Sequence, residues 1–225
     1  MTLIPREFFA RPSLQVAPDL LGCVLEHETA AGLVAVELTE VEAYAGQADP
    51  ASHAYRGKTA RNAVMFGPPG HAYVYFTYGM HFCVNLVCLG DGSASAVLLR
   101  AGRVIEGEAL ARARRASRRP GRDPDGAGLA SRDLARGPGR LCQALDIDMS
   151  LNGADVCVAD SPLRVRGEVT DRGTTARSAE RKVCTGPRVG ISAAAERPWR
   201  FWIDGDPSVS VYKPYVTRRP KLVTP

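Results

Sequence analysis

The stretch from Glu37 to Arg100 constrains the fold more than any other part of the chain. It reads ELTEVEAYAGQADPASHAYRGKTARNAVMFGPPGHAYVYFTYGMHFCVNLVCLGDGSASAVLLR, with alternating apolar runs set between turns rich in glycine and proline. That pattern specifies strands joined by tight turns. One strand starts at Leu33 and ends in Glu40, Val41 and Glu42, with Leu38, Glu40 and Glu42 on one face; the following loop carries Tyr44 and His53. Two more strands, His71 to Thr77 and His81 to Cys88, meet at the turn Tyr78-Gly79-Met80. A packed core has no use for acids, a histidine, an asparagine and five tyrosines at loops and strand ends. A carboxylate at a strand end, several flat aromatic faces and a bulky hairpin tip together describe a pocket for a flat, ring-shaped group.

A chain of 225 residues is long enough to bury a substantial core. Its 45% hydrophobic and 24% charged residues are those of an ordinary soluble globule. The net charge is +5, and only four of the 29 basic residues are lysine. Such an arginine excess fits a coding bias, and it also fits a phosphate-facing surface, since the guanidinium fork matches phosphate oxygens. Six cysteines lack C-x-x-C spacing and four histidines lack metal-ligand spacing. These thiols therefore read as reduced, partly buried residues of a cytoplasmic protein with no signal peptide in front, and no metal is expected. No apolar run is long enough to span a bilayer. There is no G-x-S-x-G, no P-loop and no dinucleotide fingerprint.

Taken in order, Ser13 is placed to cap a short helix through Leu21 that stops at Gly22. Strands follow at Val24–Glu28 and Leu33–Val41, joined by Ala30-Ala31-Gly32. Residues 45–70 form a long loop with His53, Arg56, Lys58 and Arg61, of a length that in compact domains is functional or disordered. One of the two aromatic rows, Tyr73/Tyr75 or Phe76/Tyr78, belongs to the core. After a strand from Ala96 to Leu99 capped by Arg100, the spacing predicts a helix over Val104–Ala116. Arg114–Arg136 reads as a flexible loop, Pro138–Leu145 as a short helix, and Leu163–Val169, Val189–Ser192 and Phe201–Ile203 as closing strands. Residues 216–225 read as a mobile tail, and 1–225 as one domain.

A lone carboxylate beside stacked aromatics suits glycosidic hydrolysis, because it stabilises an oxocarbenium-like transition state and deprotonates the attacking water. Electron-rich tyrosine faces attract a cationic ring. A base inside duplex DNA must first be rotated out, and Tyr78 at a hairpin tip is shaped to fill the gap.

At these residues the chain resembles the alkyladenine DNA glycosylase family, also called methylpurine-DNA or 3-methyladenine DNA glycosylases. The motifs are EVEAYAG, SHAYRGKTARN, MFGPPGHAYVYFTYGMHFCVN and VLLRA, with later support from GPGRLCQALDID and PWRFWIDGDPSVS. They keep their order from about residue 9 to residue 212. The resemblance implies an α+β fold: a single compact domain around a curved, mostly antiparallel sheet, with peripheral helices and a protruding DNA-intercalating hairpin. It implies a monofunctional, cofactor-free enzyme that acts as a monomer on double-stranded DNA containing damaged purines. Such an enzyme removes 3-methyladenine, 7-methylguanine and deaminated or etheno purines without a lyase step, within a bacterial nucleoid. Glu42 is the expected general base, and Arg100 holds its water or a neighbouring phosphate. Tyr44, His53 and Tyr75 form the box around the flipped base, with the His53 main chain at its edge. Asn85 lies at the pocket floor and disfavours the amino group of guanine. Tyr78 and Met80 enter the duplex, and Lys58, Arg61 and Arg140 contact phosphates. Relative to mammalian members the Asn85–Arg100 turn is longer, residues 114–130 are expanded and the long N-terminal extension is missing. The rival from another class is a damaged-DNA-binding protein without chemistry. A second is a hydrolase of free nucleosides, which would respond little to salt.

Overall fold

The computed structural model describes residues 1–77, 79–118, 128–169 and 181–216. In chain order the strands are β1 (Thr2–Leu3), β2 (Val24–Thr29), β3 (Gly32–Tyr44), β4 (Ala72–Thr77), β5 (His81–Cys88), β6 (Ser95–Glu106), β7 (Ala135–Arg136), β8 (Leu163–Gly167), β9 (Val183–Gly186) and β10 (Arg200–Ile203). The α-helices are α1 (Arg6–Phe9), α2 (Ser13–Leu20), α3 (Glu108–Ser117) and α4 (Pro138–Leu145). All strand pairs are antiparallel, in the order β1-β8-β2-β3-β6-β5-β4, with β7 on β6 and β9-β10 added beside β3. The result is α+β, with a large open sheet and few helices.

β3 is the axis of the sheet. It pairs with β6 along its length; its other edge is taken by β2 up to Glu37 and by β10 from Glu40 to Glu42. A local irregularity at Glu40 leaves the register intact, because Leu38 faces Gly102 before it and Val41 faces Leu99 after it. The irregularity breaks the expected alternation, however: Leu38 packs in the main core with Val36 and Val41, while Glu40 and Glu42 meet Arg100 on the other face. On the opposite face Val41, Leu99 and Phe201 pair directly across β3, β6 and β10. They join Val84, Leu86, Val16, Leu20 and Leu141 in the main core. At about 25 cal/mol per Å² of apolar surface, burial of this kind drives folding. Hydrophobic alternation therefore sets the register.

Several local expectations are corrected. The expected helix from Val104 begins later. Val104 and Glu106 extend the β6 ladder, and Gly107, at φ 70°, turns the chain where a Cβ would stand 2.1 Å from the Leu33 carbonyl oxygen. α3 follows at Glu108. The expected flexible loop over 114–136 is folded in its described parts: α3 runs to Ser117, and β7 pairs with Ala101 and Gly102. Arg115 is buried there and donates to the carbonyls of Leu134 (2.6 Å) and Asp133 (3.2 Å). Residues 119–127 lie outside the described residues. Val189–Ser192 is not a strand; Val183–Gly186 takes that place against β10. Ser13 does not cap α2 but lies inside it, donating from Oγ to the Tyr44 carbonyl at 3.1 Å. Of the expected mobile tail, 217–225 lie outside the described residues. No described helix is long and apolar enough to cross a membrane.

Candidate active site

The site follows from the sheet register. Across β4, β5, β6, β3 and β10, Tyr73 pairs with Asn85, Asn85 with Leu98, Leu98 with Glu42, and Glu42 with Arg200. Two residues along the same face come Tyr75, which pairs with Cys83. This face borders a cavity of about 340 Å³, whose walls include Glu42, Tyr44, His53, Tyr75, Asn85 and Arg100. The long loop after β3 supplies His53 and Met65, and the loop at Val189–Ile191 closes another side. The N-terminal turn of α4 completes the wall. Gly139 permits that approach, because a Cβ there would come 2.9 Å from the His81 ring.

Glu42 is wholly buried, yet it lines the cavity, with two hydrogen-bond donors and one cation on it. The Tyr44 hydroxyl donates to Oε2 at 2.9 Å, the Val189 amide donates to Oε1 at 2.7 Å, and Arg100 Nη1 lies 3.1 Å from Oε1. A carboxylate taken out of water is stable only with such partners. Burial works against the charge of Arg100, but Glu42 and Glu40 outweigh it and hold the guanidinium charged. Its Nε donates to Glu40 Oε1 at 2.9 Å. The sequence left Arg100 to grip a water or a phosphate; in the fold it is 5% exposed and bridges two carboxylates, in the middle of β6 rather than at its end.

The aromatic wall contains one ring more than expected. His53 meets Tyr75 edge-on at 4.6 Å and Tyr73 at 6.1 Å, and the two tyrosines stack at 5.5 Å. Partial burial, and then the charge of Arg61, lower the pKa of His53, so its ring is neutral near pH 7 and able to accept from the Tyr73 hydroxyl at 3.1 Å. The His53 carbonyl accepts from Asn62 Nδ2 at 2.9 Å, which ties down the loop. Burial, and then the Glu42 charge, raise the pKa of Tyr44, keeping its hydroxyl a donor. Behind Tyr44 the Arg188 guanidinium lies 4.6 Å from the ring centre and 5.1 Å from that of Trp199, and is held by Asp49 at 2.9 Å. Asn85 donates from Nδ2 to the Tyr73 carbonyl at 3.2 Å, which fixes its amide plane at the cavity wall. Burial raises the pKa of the neighbouring Cys83 thiol, which stays neutral.

Met80, Lys58, Arg61 and Arg140 stand outside the cavity walls. Met80 is 66% exposed beside the hairpin turn, and Tyr78 lies outside the described residues. Lys58 is exposed. Arg61 is exposed as well, 5.9 Å above the Tyr75 ring. Arg140, on α4, lies 3.5 Å from Asp133. Sequence reasoning missed the Val189 amide, the Arg188–Asp49 pair and the α4 turn, whose partners are distant along the chain. It had the signal for Tyr73, which shares the face of Tyr75 by simple alternation. Among the described residues, no group of three or more His, Cys, Asp or Glu could hold a metal ion.

The model of the methylpurine-DNA glycosylase family matches residues 7–207. A Streptomyces avermitilis protein is 53% identical over 97% of this chain and 95% of its own length. One from Leifsonia xyli is 50% identical over 92% of each, and one from Methanocella arvoryzae is 45% identical over 95% of this chain and 98% of its own. Each bears the name "Putative 3-methyladenine DNA glycosylase". With a carboxylate anchored in an aromatic cavity and a family match over most of its length, the chain belongs to the methylpurine-DNA glycosylase family.

Proposed function

We propose that the protein is a monofunctional DNA N-glycosylase that excises alkylated purines, 3-methyladenine and 7-methylguanine, and also deaminated or etheno purines, from duplex DNA. The observation that carries this reading is Glu42, held by two hydrogen bonds and an ion pair in the wall of a cavity lined by His53, Tyr73 and Tyr75. A damaged purine rotated out of the stack enters against these rings, and its positive charge, where it has one, is attracted to their faces. The neutral His53 adds an aromatic surface without repelling that charge. As the bond from C1′ to the purine nitrogen breaks, its electron pair leaves with the base and positive charge grows on the sugar. Glu42 stabilises that charge and accepts a proton from the water whose oxygen bonds to C1′. The products are free base and an abasic site.

Arg100 and Tyr44 keep the carboxylate oriented. Asn85, its amide fixed by the Tyr73 carbonyl, is the residue we assign to opposing the amino group of guanine. Tyr78, beside the exposed Met80, is the residue we assign to the gap in the duplex, and Lys58, Arg61 and Arg140 serve the phosphates. Among the described residues no lysine lines the cavity, which supports hydrolysis without a Schiff base and hence without strand cleavage.

The test is base release from duplexes carrying each lesion, by wild type and Glu42→Gln. The variant should bind abasic-site DNA as wild type does and release base about 10²- to 10⁴-fold more slowly. Wild-type activity in the variant removes Glu42 from the mechanism. Lesion binding without base release by the native protein would leave a recognition module instead.

A further inference from the structure

Directly behind Glu42 lies a second carboxylate that the reaction does not need for chemistry. Glu40 is wholly buried. It accepts from Arg100 Nε at 2.9 Å, from the Ser210 amide at 2.7 Å and from the Ser210 hydroxyl at 2.9 Å. Arg200 Nε stands 3.2 Å away, without hydrogen-bond alignment. Burying a carboxylate costs several kcal/mol unless it is fully paired, so an apolar residue would be the simpler occupant of this site.

We propose that Glu40 is a positioning residue that acts through Arg100 on Glu42, and that the segment Ser208–Lys213 is the strap that completes it. The inference rests on the glycosylase reading, and its physical basis is the shape of guanidinium. Glu40 takes the Nε edge of Arg100 and Ser210 Oγ accepts from its Nη2 at 3.5 Å, which fixes the plane of the fork and leaves Nη1 3.1 Å from Oε1 of Glu42. Without Glu40, Arg100 is free to turn toward Glu42 Oε2, the oxygen that now accepts from the Tyr44 hydroxyl at 2.9 Å. One carboxylate thereby keeps the arginine from fully occupying the other.

The strap is tied in at Ser208, Val209, Ser210, Tyr212 and Lys213. Thr39 and Ser208 share a hydroxyl bond at 2.8 Å, and Arg136 Nε donates to the Val209 carbonyl at 2.9 Å. Tyr212 lies 5.6 Å from the Arg200 guanidinium, whose other partner is Trp202 at 4.4 Å. The Lys213 carbonyl accepts from the Gly190 amide at 3.1 Å, and the residue before Gly190 is Val189, whose amide holds Glu42. The strap therefore reaches Glu42 by two routes, through Ser210–Glu40–Arg100 and through Lys213–Gly190–Val189. It begins where the match to the family model, residues 7–207, ends.

The experiment compares single-turnover base release and affinity for abasic-site DNA in wild type, Glu40→Gln, Arg100→Lys and the double variant. Glu40→Gln should slow base release by about tenfold to a hundredfold, the scale of a misplaced reacting group, with affinity unchanged. Added to Arg100→Lys it should cost clearly less than alone, since its effect passes through that arginine. A wild-type rate in Glu40→Gln, or losses that multiply in the double variant, overturns the proposal. Should Glu40→Gln fail to fold, Ser210→Ala replaces it: it removes the hydroxyl that donates to Glu40 and accepts from Arg100 Nη2, should slow release severalfold, and must obey the same non-additivity. An active Glu42→Gln sinks the glycosylase reading itself, whereas an inactive Glu42→Gln beside a fully active Glu40→Gln sinks only this inference.

Discussion

On β3, β6 and β10, Val41, Leu99 and Phe201 stand in register on one face, while Glu42, Leu98 and Arg200, each one residue along, stand in register on the other. The backbone is shared and both rows are buried, but they differ in what burial costs. The first row gains free energy simply by leaving water. In the second row the charged members must each find a partner, and Glu42 is supplied by residues as far along as Tyr44, Arg100 and Val189. The same sheet thus presents one face that needs only volume and another that needs a specific set of donors. That difference separates residues that hold the molecule together from residues that arrange its chemistry.

The largest expected effect breaks this division. Asp49 and Arg188 lie behind the catalytic face and both are buried. Asp49→Ala leaves an unpaired buried guanidinium and should cost about 3–5 kcal/mol, read from urea denaturation. A loss below about 1 kcal/mol would mean that water or the Ala43 carbonyl, already an acceptor at 3.0 Å, suffices for Arg188.

Leu86→Ala, on the apolar face, should cost about 2–5 kcal/mol while the base-release rate per folded molecule stays unchanged. A changed rate would show that the two faces are mechanically coupled. Tyr44→Phe tests the opposite case. It removes a hydrogen bond to a charged group, worth about 1.5–3 kcal/mol, and should slow base release by about tenfold or more, with a smaller effect on stability. A wild-type rate would show that Arg100 and Val189 alone orient Glu42.

The smallest effect is one of pH. Burial and Arg61 depress the pKa of His53 in the folded state, so the unfolded chain binds its proton more readily. The resulting stability is present above the ordinary imidazole value and is lost as pH falls below it. Between about pH 8 and pH 5.5, His53→Gln should lose slightly less stability than wild type. Equal losses would mean that the ring is as well solvated in the fold as in the open chain.

How much of this was legible beforehand can be judged residue by residue. The turn residues and period-two runs of β4, β5 and the first half of β3 marked those strands, and Pro138 marked the start of α4. The long β6 was truncated in the sequence reading, because Val104-Ile105-Glu106 followed by an alanine- and arginine-rich run has helical spacing; pairing with β3 overrode it. The stretch after Arg114 read as loop on its charge, since a buried Arg115 satisfied by two carbonyls has no local signature.

Within the site, Glu42, Tyr44, His53, Tyr75, Asn85 and Arg100 were identified from their motifs, and the fold gathers all six around one cavity. Their roles remain for the experiments above to test. By itself the sequence marked β2 to β5 and the start of β6, because alternation, turn chemistry and apolar burial act over a few neighbouring positions; it did not mark the strand at Val183–Gly186. Only the tertiary structure decided what supports Glu42. The Val189 amide, the Glu40–Arg100 bridge and the strap at Ser210 meet it from chain positions up to 170 residues apart, and hydrogen bonds between such distant groups exist only once the sheet has set its register.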